Sequence, residues 1–118
     1  MSVLTALHER NSHSKLTEPG PDASQLQAIV QAGLRAPDHG RLRPWHFLAI
    51  QGDRREALGE LFTKALKLSR PSATEAELTK ARAAPLRTPV IVAGLLKPVE
   101  HPKVPRVEQV AAVACALH

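Results

Sequence analysis

Only two stretches of the chain can form β-strands, and a long helical excursion separates them. Trp45-His46-Phe47-Leu48-Ala49-Ile50 and Val90-Ile91-Val92-Ala93-Gly94-Leu95-Leu96 are apolar runs of strand length. Runs of this kind suit buried strands, and the second, being unbroken, reads as a central one. The remaining patterned segments carry helical spacing. Five helices are expected: Ser2 to Glu9, Asp22 to about Leu34, Asp53 to about Leu68, Ser72 to about Ala84, and Arg106 to His118. Two strands do not make a well-covered sheet, because three or more are usually needed. The expectation is an α+β unit that is the front part of a larger domain or is completed by a partner.

The helix boundaries follow from their caps. Ser2 precedes a face of Val3, Leu4 and Leu7. Pro19-Gly20-Pro21 breaks the chain, and Asp22 with Gln25 forms a capping box for a helix whose face is Leu26, Ile29, Val30 and Leu34. Gly33 permits a close neighbour there. After the Gln51-Gly52 turn, Asp53 is the expected cap of a helix faced by Leu58, Leu61, Phe62, Ala65 and Leu66, ended by Pro71. Ser72-Ala73-Thr74-Glu75 reads as a second capping box, opening a peripheral and mobile helix with a thin face of Ala76, Leu78 and Ala81. Pro85 and Pro89 bracket an extended link. The last helix carries a small-residue stripe of Val107, Val110, Ala111, Ala114 and Cys115 that suits a core or a subunit interface. Cys115 reads as a packed thiol. Glu108 and Gln109 are expected to be solvated or interfacial.

Composition narrows the function. With two Phe, one Trp and no Tyr among 118 residues, the core must be aliphatic and no base-stacking platform is available. The net charge of +5 favours anionic partners, yet the charge is scattered, so nucleic acid is not expected. A single Cys excludes an internal disulfide and a Cys-based metal cluster, and fits a reducing compartment. His39 and His46 stand seven apart across a turn with no carboxylate at ligand spacing, so no metal is expected. The N-terminus is too short and polar for a signal peptide, and no apolar run approaches the ~18 residues of a membrane span. The chain reads as cytoplasmic, with no membrane partner. It contains neither a G-x-G-x-x-G nor a P-loop fingerprint.

Two segments carry chemistry. Between the second helix and the first strand, Arg35, Asp38, His39, Arg41, Arg43, Trp45 and His46 crowd one connection. Pro37 ends the helix, because the residue before proline is pushed out of the α region, and Gly40 frees the turn. Binding residues concentrate on loops held by rigid elements, although a solvated charged connection has the same composition. The second segment, Arg10-Asn11-Ser12-His13-Ser14-Lys15, is a row of donors that suits a phosphate or a carbonyl-rich ring; an ordinary polar helix end reads the same way.

At Arg35-Ala36-Pro37-Asp38-His39 and Arg43-Pro44-Trp45-His46-Phe47 the chain resembles the nitroreductase family, and most closely its short bacterial NAD(P)H nitroreductases. Arg10-Asn11-Ser12 is similar to the family's Arg-Arg-Ser flavin-phosphate motif, and Lys103-Val104-Pro105-Arg106 to the start of its central helix. The resemblance covers essentially the whole chain. It implies a single, incomplete nitroreductase-like domain over residues 1–118 and an FMN-binding α+β fold working as an intertwined homodimer. It implies cofactor contacts from Arg10, Asn11, Ser12, Arg35 and His39, with no general acid named. NAD(P)H and a small-molecule acceptor, a nitro compound or quinone, are the implied partners. Asn11 stands where many relatives have a second Arg, and Arg43 where the family usually has Gln. The family's further strands and Gly-rich segment lie beyond this sequence, which leaves a second reading: a truncated or degenerate chain acting as a non-catalytic binding module.

Overall fold

A computed structural model describes residues 2–118. In chain order they form α1 (Val3–Glu9), α2 (Ala23–Gly33), a short 3₁₀ turn (His39–Arg41), β1 (Trp45–Gln51), α3 (Asp53–Ser69), α4 (Glu75–Ala83), a second 3₁₀ turn (Ala84–Arg87), β2 (Val90–Leu96) and α5 (Arg106–Leu117). The class is α+β. β1 and β2 pair antiparallel over their full lengths, from Trp45 opposite Leu96 to Gln51 opposite Val90. They form a two-stranded sheet with both edges open among the described residues.

The caps at Ser2 and at Asp22 with Gln25 form as the sequence predicts. Two others shift. Gly52, at φ 54, takes the N-cap position of α3, and Asp53 becomes its first residue. The capping box of α4 is Thr74 with Glu77, two residues later than the Ser72–Glu75 reading. Burial corrects more. Pro85 does not lie in an extended link; it is fully buried in the second 3₁₀ turn. α3 packs on α4 through Gly59 and Thr63, which leaves Leu61 and Phe62 exposed. A Cβ at Gly59 would sit 2.2 Å from the carbonyl oxygen of Arg82, so only glycine allows that approach. α4 packs on α3 with a thin face, as expected: Leu78 is buried, Ala81 half-buried and Ala76 exposed.

α5 presents a different face from the one expected. Gln109, Ala112 and Val113 point inward, while Val107, Val110, Ala111, Ala114 and Cys115 are exposed. Cys115 is therefore not a packed thiol. Gln109 is neither solvated nor interfacial. It is 3% exposed, donates to the carbonyls of Val99 (2.8 Å) and Val104 (3.3 Å), and accepts the Val99 amide at 2.9 Å. It staples the 97–105 loop to α5. Gly33 meets the Ala116 carbonyl, and α2 is held against α5 there.

The buried set is small: Leu78, Val104, Ala112, Val113, Pro44 and Pro85 lead it. The radius of gyration is 17.1 Å, against about 13–14 Å for a compact domain of this size. Val3, Leu4 and Leu7 on α1 are all more than half exposed, and Leu48 on β1 is 49% exposed. Much apolar surface therefore remains uncovered in the isolated chain. No helix of the described residues is long and apolar enough to cross a membrane.

Candidate functional site: two donor clusters at opposite ends of the sheet

The first cluster begins where α2 stops. Its last turn tightens, with the Arg35 and Ala36 amides donating to the carbonyls of Ala32 and Gly33, both at 3.0 Å. Asp38 then organises the loop. Its carbonyl accepts the Arg41 amide at 3.1 Å and its carboxylate accepts the Arg43 amide at 2.8 Å. Three residues here hold left-handed backbone: Gly40 at φ 73, Arg41 at φ 53 and Arg43 at φ 48. Glycine adopts this readily, whereas an L-residue pays about 1–2 kcal/mol. Two strained arginines so close together mark a loop whose shape is dictated by its surroundings, and such strain gathers at functional sites. Pro44 is fully buried and its carbonyl accepts the Lys97 amide at 2.7 Å, which pins the loop to the end of β2.

Arg35, Arg41 and Arg43 line one cleft of about 770 Å³ together with Asp38 and Trp45. None of the three guanidiniums has a carboxylate within ion-pair distance among the described residues. His39 leaves the cleft and reaches α5: its Nδ1–H donates to the Glu108 carboxylate at 2.6 Å. An ionised carboxylate can only accept, so this bond fixes the proton on Nδ1 and leaves Nε2 free for a ligand. Glu108 is a contact of the site that sequence reasoning missed. It lies 69 residues from its partner, and no local pattern announces the pairing.

The second cluster follows α1. Arg10 donates to the Ser12 hydroxyl at 3.2 Å and the Asn11 side chain donates to the Glu9 carbonyl at 3.0 Å. All three residues are exposed and Arg10 has no ion-pair partner among the described residues. The segment is anchored just beyond, where the Leu16 amide donates to the Arg87 carbonyl at 2.7 Å and His13 and Ser14 share a hollow with Arg87, Val90 and Ile91. That is the Gln51/Val90 end of the sheet, whereas Arg35 and His39 stand at the Trp45/Leu96 end. Six strand steps separate the two ends, about 20 Å. The structure thus brings Arg35 and His39 into one neighbourhood and does not bring Arg10, Asn11 and Ser12 to it.

The donor chemistry fits a flavin mononucleotide. A phosphate dianion calls for unpaired guanidinium, hydroxyl and amide donors, which Arg10, Ser12 and Asn11 provide on an exposed segment. The ring edge, rich in acceptors, calls for N–H groups, which Arg35 can offer, while the free Nε2 of His39 can accept from an N–H of the ring. Among the described residues there is no group of three or more His, Cys, Asp or Glu side chains that could hold a metal ion.

Comparison with known proteins bears on this arrangement. A family model described as "Nitroreductase family" matches residues 7–118. The Escherichia coli K12 protein named "Putative NAD(P)H nitroreductase YdjA" is 40% identical over 117 residues, which are 99% of this chain and 63% of that protein. A Haemophilus influenzae protein named "Putative NAD(P)H nitroreductase" is 36% identical over 120 residues, covering 100% of this chain and 64% of that one. The crystal structure of a nitroreductase-like family protein from Bacillus cereus superposes with a TM-score of 0.75 at 23% identity, covering 99% of this chain and 60% of that chain. The chain therefore spans a little under two thirds of the length of these relatives.

Proposed function

The chain belongs to the nitroreductase family, and on that premise we propose that it serves an FMN-dependent NAD(P)H oxidoreductase whose flavin lies between two copies. The observation that carries the proposal is the placement of two donor clusters, each without carboxylate neutralisation of its arginines, at opposite ends of one sheet. The two ends lie about 20 Å apart along one chain's sheet. In a two-fold pair, one copy's Arg10–Ser12 segment can meet the other's Arg35 and His39. The exposed apolar faces of α1 and α5 and the large radius of gyration are consistent with a chain that buries more surface in an assembly.

In this reading Arg10 and Ser12 bind the ribityl phosphate, with Asn11 supplying an amide in place of a second guanidinium. Arg35 and His39 contact the ring edge, and Glu108 positions the imidazole so that Nε2 faces the ligand. When bound, FMN supplies the redox chemistry, accepting hydride from NAD(P)H and passing electrons to a nitro compound, quinone or similar acceptor in two half-reactions. The chain's own residues orient the ring and place positive charge beside it, which favours electron-rich forms of the bound group. The relatives' names support NAD(P)H as donor.

The test is the visible absorption spectrum of the purified protein, before and after addition of FMN and removal of the excess, followed by NAD(P)H oxidation with a nitroaromatic or quinone acceptor. Retained flavin with acceptor-dependent turnover supports the proposal. Absence of retained flavin contradicts it for this chain and favours the non-catalytic binding module.

A further inference from the structure

The cleft lined by Arg35, Arg41, Arg43, Asp38 and Trp45 has more positive charge than flavin contact requires. Of these residues only Arg35 belongs to the proposed flavin set; Arg41 and Arg43 have no role there. Both are held in left-handed backbone, Arg43 by the Asp38 carboxylate on its amide, so their guanidiniums are presented by a constrained loop and not by a free tail. Asp38 is the one carboxylate lining the cleft, against three guanidiniums. The half-buried indole of Trp45 gives an aromatic surface on the same wall. A volume of about 770 Å³ is within the range of ligand pockets.

We propose that this cleft binds the 2′-phosphoadenosine end of NADPH, with Arg41 and Arg43 on the 2′-phosphate and Trp45 against the adenine. The inference rests on the reading of the chain as an NAD(P)H oxidoreductase and adds the choice of donor. A phosphomonoester dianion is the group that distinguishes NADPH from NADH, and guanidinium forks recognise it geometrically as well as electrostatically. Stacking of a base on an aromatic face adds affinity without base selectivity. NADH would meet the same indole and leave the two arginines unengaged.

Trp45 makes the cleft self-reporting, because it is the only Trp and the chain has no Tyr. The probes are adenosine 2′,5′-bisphosphate and 5′-AMP, titrated against the intrinsic fluorescence of the chain. The expected result is saturable quenching by the bisphosphate, at least about tenfold tighter than by 5′-AMP, the scale of one charge-assisted contact. Arg41→Asn and Arg43→Asn should each weaken the bisphosphate by about tenfold and weaken 5′-AMP by much less, so that the preference for the bisphosphate falls. Asn tolerates left-handed backbone, so these variants keep the loop. Equal affinity for the two probes, or unchanged bisphosphate binding in both variants, overturns the proposal. Displacement of the bisphosphate by FMN, at concentrations that saturate FMN's own absorption change, would give the cleft to the flavin phosphate and overturn it as well. Flavin retention is read separately in the visible spectrum. A chain that keeps FMN but does not discriminate the probes loses only the NADPH assignment. One that discriminates the probes but keeps no FMN supports the cleft and contradicts the flavin reading.

Discussion

Replacing Gln109 tests whether the junction of the 97–105 loop with α5 is held by hydrogen bonds or by packing. Its amide makes three bonds to backbone groups of Val99 and Val104, at 2.8, 2.9 and 3.3 Å, from a position 3% exposed. Each such bond contributes about 1 kcal/mol net, and a buried group left unpaired costs about 1–3 kcal/mol. Val99 is 41% exposed, so water can recover its amide and carbonyl, whereas the Val104 residue is 3% exposed and its carbonyl would stay dry. Gln109→Leu keeps the side-chain volume and removes every bond. It should destabilise the chain by about 2–4 kcal/mol, a large share of the roughly 10 kcal/mol expected for a domain of this size. In thermal unfolding that corresponds to a fall of about 10 °C. Gln109→Ala should lose slightly more, through the cavity. A Gln109→Leu protein as stable as wild type in urea and heat would refute the reasoning, because packing alone would then explain the burial. The consequence for function is direct: Gln109 fixes the first turn of α5, the turn that carries Glu108 to His39.

Other substitutions probe other parts of the molecule. Gly59→Ala would put a methyl 2.2 Å from the Arg82 carbonyl oxygen and should force α3 and α4 apart, lowering stability by at least the ~1–3 kcal/mol typical of overpacking; an unchanged urea midpoint would contradict that contact. Glu108→Gln should weaken FMN retention by at most about fivefold, since the His39 pair is half exposed and such pairs are worth under about 1 kcal/mol, and it should have no effect in a His39→Ala background. Retention equally sensitive to Glu108→Gln with and without the imidazole would remove its positioning role. The Glu77 carboxyl is held below its ordinary pKa, first by the Thr74 amide, then by the Thr74 hydroxyl and by Arg70. A lowered folded-state value stabilises above the ordinary carboxylate range and is lost as pH falls through it. The stability advantage of wild type over Glu77→Gln should therefore shrink on acidification; a gap independent of pH would exclude the carboxylate as the source.

What the sequence disclosed and what it hid divide along physical lines. Caps that depend on three or four adjacent residues, Ser2 and Asp22 with Gln25, could be read directly, as could the whole of Val90–Leu96, because an unbroken β-branched and aliphatic run has few alternatives. Gly33 as a point of close approach was also legible. Helix rotation was not. The apolar stripe of α5 looked like its buried face, but burial is decided by which partner is present, and here the loop over Gln109 takes the other side. The same holds for α3, where Gly59 and Thr63 are the buried residues and Leu61 and Phe62 stay outside. Proline breaks regular structure and so points to a linker at Pro85, yet a short 3₁₀ turn accommodates and buries it. The arginines of the 35–43 loop were visible as a charge cluster, but their gathering into one cleft depends on left-handed backbone at Arg41 and Arg43, which no propensity favours.

The shared-site arrangement is tested most directly by complementation. Arg10→Ala and His39→Ala chains would be prepared separately, then unfolded, mixed in equal amounts, refolded with FMN and freed of excess flavin. If one copy's Arg10 and the other's His39 serve the same flavin, each variant alone retains little, while random pairing rebuilds about a quarter of the sites intact. Visible flavin absorption at about a quarter of the wild-type value is the predicted result. A mixture that retains no more flavin than its two components would mean that Arg10 and His39 act from the same chain or not at all, and would contradict a site built between copies.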